Sequence, residues 1–272
     1  MVSNLLRASI SCFFNFKHRY TWVQDSTKFV YKQLAYALIT GSAKRIGRCI
    51  ALFLAKSGWD IILHYNTSKA EALKLQKEII VDLRRRCELY QEDFLQSKES
   101  NIADKFPISL LINNASIFKN DTLCGIKEEN LFNNLKINFF NPVRLSKKIL
   151  QNKSHNQQIN IINILDSTIF KLPINFASYY FSKVALANFT KLAAKLYAPM
   201  ARVNGIALGP IIKTPTQTKE NFNKIKKATP LEYGGSIEEI CFTVNFIVKA
   251  KSLTGQIISL DGGSHLDNTN YP

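Results

Sequence analysis

The sequence predicts an α/β fold: a single-domain, doubly wound parallel sheet with helices on both faces. Short apolar runs alternate with stretches of helical periodicity from residue 35 onward, which is the pattern of strand–helix–strand units. A glycine-containing turn at 40–47 lies between the first apolar run and the first helical stretch. A chain of 272 residues with no internal repeat and no linker after residue 34 fits one large domain better than two small ones.

Seven apolar runs predict the strands. The first, second and fourth runs are short and continuous rather than alternating, as in a covered parallel sheet whose strands are buried on both faces, whereas the third is weaker. The first run meets a turn at Thr40-Gly41, and the last is closed by Asp261-Gly262-Gly263. The predicted strands cover residues 35–39, 61–63, 89–93, 110–112, 159–164, 202–207 and 256–260.

Helical periodicity between these strands predicts the covering helices. Ile46, Ile50 and Leu54 recur at a spacing of four, and Gly58 ends this first helix. A polar helix is predicted at about 68–83 and a further one at 131–150. The last predicted helix carries Tyr179 and Lys183 and continues to Leu196. Alternation of this kind indicates a Rossmann-type sheet.

The composition excludes several classes of protein. A hydrophobic content of 46% is typical of globular proteins, and no uncharged apolar stretch approaches the roughly 18 residues that span a bilayer. The five cysteines are scattered without paired spacing, which argues against a disulfide framework or a zinc site and fits a reducing compartment. We therefore predict a cytoplasmic protein without a metal site.

The formal net charge of +16 permits two interpretations. A basic surface of this size can bind nucleic acid. The charges are dispersed, however, over 44–45, 84–86 and 213–227, and no stacking-aromatic motif of an RNA-binding module is present. We favour a solvated basic surface together with a site for an anionic cofactor, and expect no nucleic-acid partner.

The first 34 residues form a separate segment. Arg7, Lys17 and Arg19 precede the first acidic residue, Asp25, and aromatic residues are frequent. A basic, acid-poor N-terminus resembles an organelle-targeting segment. A poorly ordered extension and an over-long start of the reading frame remain alternatives.

The turn at 40–47 has the chemistry of a dinucleotide-binding loop. Gly41 permits a tight turn, Gly47 permits close packing of the helix, and the helix N-terminus offers N–H groups to a pyrophosphate. The loop residues predicted to bind cofactor are Gly41, Lys44, Arg45, Ile46 and Gly47. Arg45 stands where such loops often have a middle glycine, and its guanidinium would suit an additional phosphate.

The end of the second strand predicts which dinucleotide is bound. An acidic residue there would bind the ribose hydroxyls of NADH and repel a 2′-phosphate. This chain has His64, Tyr65 and Asn66 at that point, followed by Thr67 and Ser68, and no acid. With two basic residues one loop away, we predict NADPH, with His64, Tyr65 and Asn66 contributing to its site.

Tyr179 and Lys183 stand four residues apart, on one face of the predicted helix, and Asp166 lies thirteen residues before the tyrosine. A phenol beside an ammonium group suits a hydride-transfer site that must donate a proton. We expect the ammonium to lower the phenol's pKa from about 10 toward neutrality.

With these motifs the chain resembles the short-chain dehydrogenase/reductase family over residues 35–268. The motifs that carry the resemblance are the glycine loop, Asp93, Asn113-Asn114-Ala115, Asn138, Tyr179 with Lys183, Gly209-Pro210 and Asp261-Gly262-Gly263.

The resemblance implies a role for each matching residue. Tyr179 is expected to be the acid, Lys183 to bind the nicotinamide ribose and tune the tyrosine, and Asn138 to organise a proton-relay water. Asp93 and Asn114 match positions that line the adenine and ribose sites. Members of the family commonly form tetramers, so a homotetramer is expected.

Three details resemble the pteridine reductases and the bacterial dihydromonapterin reductases. Asp166 replaces the usual serine, the loop has the form Thr-Gly-x-x-x-Arg-Ile-Gly, and Ser116-Ile117-Phe118 replaces the usual small residues. The resemblance implies that Phe118 stacks on a pterin, that Ser116 contacts cofactor and substrate, and that Asp166 takes part in proton delivery.

We therefore predict an NADPH-dependent reductase that transfers hydride to a C=N bond of a dihydropterin or related folate-pathway pterin. An ionised carboxylate only accepts hydrogen bonds, so it serves a developing alkoxide poorly but can pass a proton toward a ring nitrogen. The alternatives are a 3-oxoacyl carrier-protein reductase or another short-chain carbonyl reductase, and a non-catalytic NADPH- and polyanion-binding protein. A reductase anchored to a membrane by residues 1–34 is a further possibility.

Overall fold

A seven-stranded parallel sheet in the order β3-β2-β1-β4-β5-β6-β7 forms the centre of the protein. The computed structural model describes residues 36–153, 158–215 and 217–266. The strands are β1 (Tyr36–Ile39), β2 (Asp60–Tyr65), β3 (Cys87–Gln91), β4 (Ile108–Asn113), β5 (Ile159–Asp166), β6 (Ala201–Leu208) and β7 (Ile257–Leu260). The helices are α1 (Arg45–Lys56), α2 (Lys69–Val81), α3 (Ile102–Lys105), α4 (Glu128–Leu135), α5 (Asn141–Gln151), α6 (Ala177–Leu196), α7 (Lys219–Lys227) and α8 (Ile237–Lys249).

The sheet is buried on both faces, and alternate residues of each strand supply the two cores. Ala37 and Ile39 of β1 belong to one apolar cluster, whereas Leu38 points into the other. The predicted doubly wound α/β fold is confirmed, and all seven predicted strands are present. The prediction for residues 1–34 falls outside the described residues.

Strand order reverses between β1 and β4, whose carboxyl ends are neighbours in the sheet. In open α/β sheets such a reversal opens a crevice at the carboxyl edge, and ligands bind there. The loops that follow β1, β4 and β5 all begin at this edge, so the fold brings the predicted site residues of three separate segments together.

The predicted helix at 131–150 is wrong in one respect. Residues Lys136–Phe140 form a π-helical turn between α4 and α5, centred on the fully buried Asn138. Apolar spacing continues through this turn, so periodicity alone gives no sign of it. π-helical turns inside α-helices are frequent at functional sites.

Helices α3, α7 and α8 were not predicted. The start of α8 has a signal in the sequence, because Ser236 and Glu239 form a capping box in which each side chain bonds the other's backbone N–H. Among the described residues no helix is long and apolar enough to cross a membrane. The cytoplasmic location stays a prediction.

Candidate active site

The glycine loop closes tightly against the end of β4. The Asn114 side-chain amide donates to the carbonyl oxygens of Thr40, at 2.8 Å, and Gly41, at 3.2 Å. Gly41 has φ +63°, and a Cβ on Gly47 would lie 2.4 Å from the Gly41 carbonyl oxygen. Side chains are therefore excluded at both glycines, as the sequence predicted. Asn114 here secures the loop at the carboxyl edge, where β1 and β4 are neighbours and the strand order reverses.

The N-terminus of α1 fits an anionic group. Helix α1 begins without a side-chain cap and without an acid in its first turn, so the positive end of its dipole is not neutralised from within the helix. Arg45 has φ +53°, a conformation in which glycine is favoured, and this explains why glycine is common at its position. Ile46 follows it in the first turn.

The two predicted phosphate-binding cations have protein partners. Lys44 Nζ lies 2.6 Å from a carboxylate oxygen of Glu71, and both side chains are exposed. The Arg45 guanidinium donates to the carbonyl oxygens of Lys213, at 3.1 Å, and Ile212, at 3.4 Å. Exposed ion pairs are weak, so a phosphate could compete for Lys44 at small cost.

His64 has a different environment from the predicted one. Its side chain is buried, and the Gly41 N–H donates to Nδ1 at 3.1 Å. Nδ1 is therefore the acceptor, so the proton is on Nε2, which lies 3.1 Å from the Glu92 carbonyl oxygen and donates to it. Its ring also stacks on Phe94, with centroids 4.2 Å apart. Since both nitrogens are engaged, the prediction that His64 binds cofactor is corrected: it holds the glycine loop to the end of β3.

Burial keeps His64 neutral. Desolvation lowers the pKa of the imidazole from 6.5 to about 4, and the Glu92 carbonyl opposes part of that change. Tyr65 also differs from its prediction, because its ring is buried in a small cluster with Ala43 and Ala72. Asn66 is exposed at the crevice end of β2, where a ligand can reach it.

Asp93 lies two residues beyond the end of β3 and is partly buried. Its carboxylate accepts a hydrogen bond from the Leu95 N–H at 2.8 Å, which fixes the turn at the carboxyl edge. The predicted strand extended to this residue, whereas the structure places it in the turn. Its role toward adenine stays a prediction.

Asp166, Tyr179 and Lys183 come together at the end of β5. The Tyr179 hydroxyl donates to Asp166 Oδ2 at 3.0 Å. Asp166 Oδ1 accepts from the Thr168 N–H at 2.9 Å, so the carboxylate also caps the short 3₁₀ turn that follows the strand. Lys183 Nζ donates to the Ile164 carbonyl oxygen at 2.8 Å and lies 5.5 Å from the centre of the Tyr179 ring.

The expected direction of the tyrosine's pKa is wrong for this arrangement. Burial raises the pKa of Tyr179 well above 10, and the charge of Asp166 and its hydrogen bond act in the same direction. Burial lowers the pKa of Lys183 to about 8, against the opposing effect of Asp166. Tyr179 is consequently protonated at neutral pH, because burial above all, and then Asp166, outweigh any acidifying effect of the neighbouring ammonium.

Asn138 holds the substrate-side loop to α6. Its Oδ1 accepts from the Ile117 N–H at 2.9 Å, and its Nδ2 donates to the Ile117 carbonyl oxygen at 3.1 Å and to Ser182 Oγ at 3.0 Å. Ser182 in turn donates to the Tyr179 carbonyl oxygen at 2.6 Å. The loop and the first turn of α6 are thus joined through buried polar groups. The relay water that the resemblance implies for Asn138 stays a prediction.

Phe118 lies directly beside the tyrosine. Its ring contacts that of Tyr179 edge-on, with centroids 4.7 Å apart, and the side chain remains 47% exposed. Ser116 is exposed in the same loop. An open aromatic surface therefore adjoins the Tyr179 ring, and a flat ring could stack on it.

Comparisons with known proteins identify the family to which the chain belongs. A model of the family, described as enoyl-(acyl carrier protein) reductase, matches residues 41–265. The chain belongs to the short-chain dehydrogenase/reductase family. The prediction of a short-chain oxidoreductase is thereby confirmed.

Relatives with two different descriptions bear on the substrate of this short-chain reductase. A solved structure described as FolM alternative dihydrofolate reductase 1 from Brucella suis, in complex with NADP, is 32% identical, with a TM-score of 0.83, and covers 87% of this chain and 97% of its own. The 3-oxoacyl-(acyl-carrier-protein) reductase FabG of Staphylococcus epidermidis is 28% identical over 85% of this chain and 98% of its own length. The 3-oxoacyl-(acyl-carrier-protein) reductase of Synechocystis is 30% identical over 84% of this chain and 95% of its own length.

Sequence reasoning missed two residues of this short-chain reductase's site. Phe176 stacks face to face on Phe118, with centroids 4.1 Å apart and planes at 12°. Asp121 accepts hydrogen bonds from both the backbone N–H and the hydroxyl of Ser178. The sequence offered one signal for these residues, the aromatic side chain three positions before the tyrosine. The contacts of Phe176 and Asp121 join separate segments, so no local pattern indicates them.

Proposed function

We propose that this protein reduces a C=N bond of a dihydropterin or related folate-pathway pterin, with NADPH as the hydride donor. The observation that carries the proposal is the 3.0 Å hydrogen bond between the Tyr179 hydroxyl and Asp166 Oδ2. Most members of the family have a serine where this chain has Asp166, so the aspartate distinguishes the reaction centre.

A carboxylate at this position suits reduction of a C=N bond better than of a ketone. A ketone accumulates negative charge on oxygen as hydride arrives, and an ionised carboxylate repels that charge and cannot donate a hydrogen bond to it. In a C=N reduction the hydride goes to carbon and a proton goes to the ring nitrogen. An anionic neighbour favours that proton's arrival.

The proton transfer can be assigned to residues of this chain. Bound NADPH supplies the hydride. Tyr179 holds a proton at neutral pH, since an ordinary phenol has a pKa of about 10 and burial raises the pKa of this one further. Its hydroxyl is proposed to deliver that proton to the ring nitrogen. Asp166, bonded to the hydroxyl, favours reprotonation of the phenolate from solvent. Lys183 carries the positive charge that offsets the phenolate while it exists.

The aromatic surface favours a flat substrate. Phe118 is half exposed beside Tyr179 and is backed by Phe176, so a planar ring placed against it would approach the tyrosine hydroxyl. Ring stacking contributes roughly 0.5–1.5 kcal/mol beyond the burial of area. Ser116, exposed in the same loop, is proposed to contact both cofactor and substrate.

NADP(H) fits the loop after β1. The loop leaves no room for side chains at Gly41 and Gly47, and α1 begins without an acid in its first turn. The Brucella suis structure and a second one from Brucella canis, 32% identical with a TM-score of 0.81, both hold NADP, which confirms the predicted cofactor. Lys44 and Arg45 are proposed to face its phosphates, with Asn66, Asp93 and Asn114 along the adenosine side.

A 3-oxoacyl carrier-protein reductase is the second candidate function. The Staphylococcus and Synechocystis relatives carry that description and match nearly their full length. Steady-state rates with dihydrobiopterin, dihydromonapterin, dihydrofolate and an acetoacetyl thioester, each with NADPH and NADH, separate the two. The proposal requires preferential reduction of a pterin with NADPH, and activity on the thioester alone would overturn it.

A homo-oligomer is proposed from apolar side chains left at the surface. Along α6, Phe181, Leu192 and Leu196 are between 43% and 61% exposed, and Phe132 on α4 and Phe140 in the π turn are 56% and 53% exposed. Contiguous exposed apolar surface marks protein interaction sites. Light scattering coupled to gel filtration tests the predicted tetramer, and a monomer at micromolar concentration would contradict it.

A further inference from the structure

The helix that carries the catalytic pair begins at a residue poorly suited to begin a helix. Phe176 is the N-cap of α6, its backbone is left-handed (φ 64°, ψ 37°), and it makes no side-chain cap hydrogen bond. Phenylalanine has no acceptor atom for the first-turn N–H groups, and L-residues rarely adopt this conformation. The surrounding structure must therefore impose the geometry.

Asp121, from the loop after β4, supplies the missing cap. Its carbonyl oxygen accepts from the Ala177 N–H at 3.2 Å, and its Oδ1 accepts from the Ser178 N–H at 3.0 Å. Its other carboxylate oxygen accepts from the Ser178 hydroxyl. A β-bridge between Thr122 and Asn175 extends the same contact. A carboxylate at a helix N-terminus is also favoured by the helix dipole.

The loop that carries Phe118 is anchored at both ends. Ile117 is held by the buried Asn138 amide, and Asp121 is held to Ser178, so Phe118 lies between two anchors on or beside α6. The second anchor also fixes Phe176, on which Phe118 stacks at 4.1 Å. The loop and the helix start therefore depend on one another.

We propose that Asp121 is a positioning residue that sets the Phe118–Phe176 ring pair beside the Tyr179 hydroxyl, and thereby governs affinity for a planar substrate. Asp121 acts through the two rings and takes no part in proton transfer. The part concerning a planar substrate rests on the proposed function, whereas the anchoring of the loop does not.

Two readouts test the proposal in the full chain. The first is the steady-state KM and kcat for dihydrobiopterin with NADPH. The second is the rate of limited tryptic cleavage after Lys119, which is exposed two residues before Asp121, with the cleaved bond identified by mass spectrometry. For Asp121→Ala we expect about a tenfold higher KM, kcat within about twofold of the wild type, and unchanged NADPH affinity. Cleavage after Lys119 should accelerate severalfold.

Conservative and control variants separate positioning from a general loss of structure. Asp121→Asn keeps an oxygen for the Ser178 N–H, and its amino group can donate to the hydroxyl, so it should restore most of the wild-type KM. Asp104→Ala is the matched control, since Asp104 bonds Asn152 and Lys148 in a different segment and should leave both readouts unchanged. If Asp121→Ala does not fold, Ser178→Ala removes only the hydroxyl bond to Asp121 and keeps the backbone N–H bond, so it should raise KM and cleavage in the same direction by smaller factors.

The outcomes distinguish this proposal from the proposed function. If the wild type reduces no pterin, the proposed function fails, and the cleavage rate after Lys119 alone decides whether Asp121 anchors the loop. If the wild type reduces pterins but Asp121→Ala changes neither KM nor cleavage, the positioning role is overturned. A fall in kcat at unchanged KM would likewise overturn it, because that result would place Asp121 in the chemical step.

Discussion

The neutrality of buried His64 predicts an acid-sensitive cofactor loop. The folded protein keeps the imidazole neutral, with a pKa of about 4, whereas the unfolded chain has the ordinary value of 6.5. Between these values the unfolded state binds the additional proton, so stability is complete above about pH 6.5 and falls as the pH drops toward about 4. At about 1.4 kcal/mol per pKa unit, the loss at pH 4.5 is about 2–3 kcal/mol.

A comparison with His64→Asn isolates this contribution. Asparagine does not titrate, and its amide oxygen can still accept from the Gly41 N–H. Urea unfolding at pH 7.5 and pH 4.5 should therefore show the wild type losing about 2–3 kcal/mol more than the variant, because all other titrating groups are shared. Parallel losses in the two proteins would refute the assignment of a neutral, buried imidazole, as would an NMR titration with an ordinary histidine pKa.

The same protonation should weaken cofactor binding. A protonated Nδ1 cannot accept from the Gly41 N–H, so two donors would face one another beneath the glycine loop. NADPH affinity of the wild type should decline as the pH falls from neutrality toward about 4, and the decline should be smaller in His64→Asn. Fluorescence titration of NADPH at each pH measures the affinity of the wild type and of His64→Asn.

The site supports four further predictions. Gly47→Ala places a Cβ 2.4 Å from a loop carbonyl oxygen, so it should destabilise the fold by about 1–3 kcal/mol and weaken NADPH binding. Thermal melts and NADPH titrations measure the two effects, and Gly125→Ala is the control that should show neither. Tyr179→Phe should lower kcat by about 100-fold or more at unchanged NADPH affinity, and a variant with normal turnover would exclude the phenol as proton donor. Asp166→Ser should lower kcat/KM for pterins and raise it for an acetoacetyl thioester; equal effects on both substrates would argue against a role in substrate choice. Lys183 has a pKa of about 8, so its charge is present below that pH and lost above it, and NADPH affinity should fall as the pH rises through about 8, with a flatter profile in Lys183→Met.

The predictable parts of this protein are those that local patterns encode. Continuous apolar runs specify strands buried on both faces, and the predicted sheet followed from them. A continuous apolar run does not show toward which face of the sheet each side chain points, because polar and apolar residues do not alternate. The sequence of β2 therefore gave no sign of the face on which His64 lies. Its ring turns inward to the glycine loop, and the prediction that it faces a ligand was wrong for this reason.

Local sequence patterns could not predict the contacts between separate segments of the chain. The spacing of Tyr179 and Lys183 follows from helical geometry, but the approach of Asp166 depends on how α6 packs across β5. The cap that Asp121 gives to α6 joins residues 57 positions apart, and nothing in either local sequence indicates the pairing. Asn138, in the π turn, likewise bonds a loop 21 positions away, and nothing in the local sequence indicates that contact.

Overall identity does not separate the two candidate substrates, since a FolM structure is 32% identical and a carrier-protein reductase is 30% identical. The pterin proposal depends instead on the groups around the phenol. Burial, and then the charge and hydrogen bond of Asp166, raise the pKa of Tyr179, so the phenol keeps its proton at neutral pH although an ammonium lies near it. An ionised carboxylate cannot donate a hydrogen bond to a developing alkoxide, whereas it favours the arrival of a proton on a ring nitrogen. We propose on this ground that Asp166 changes the bond that is reduced, while the sheet keeps the arrangement of the family.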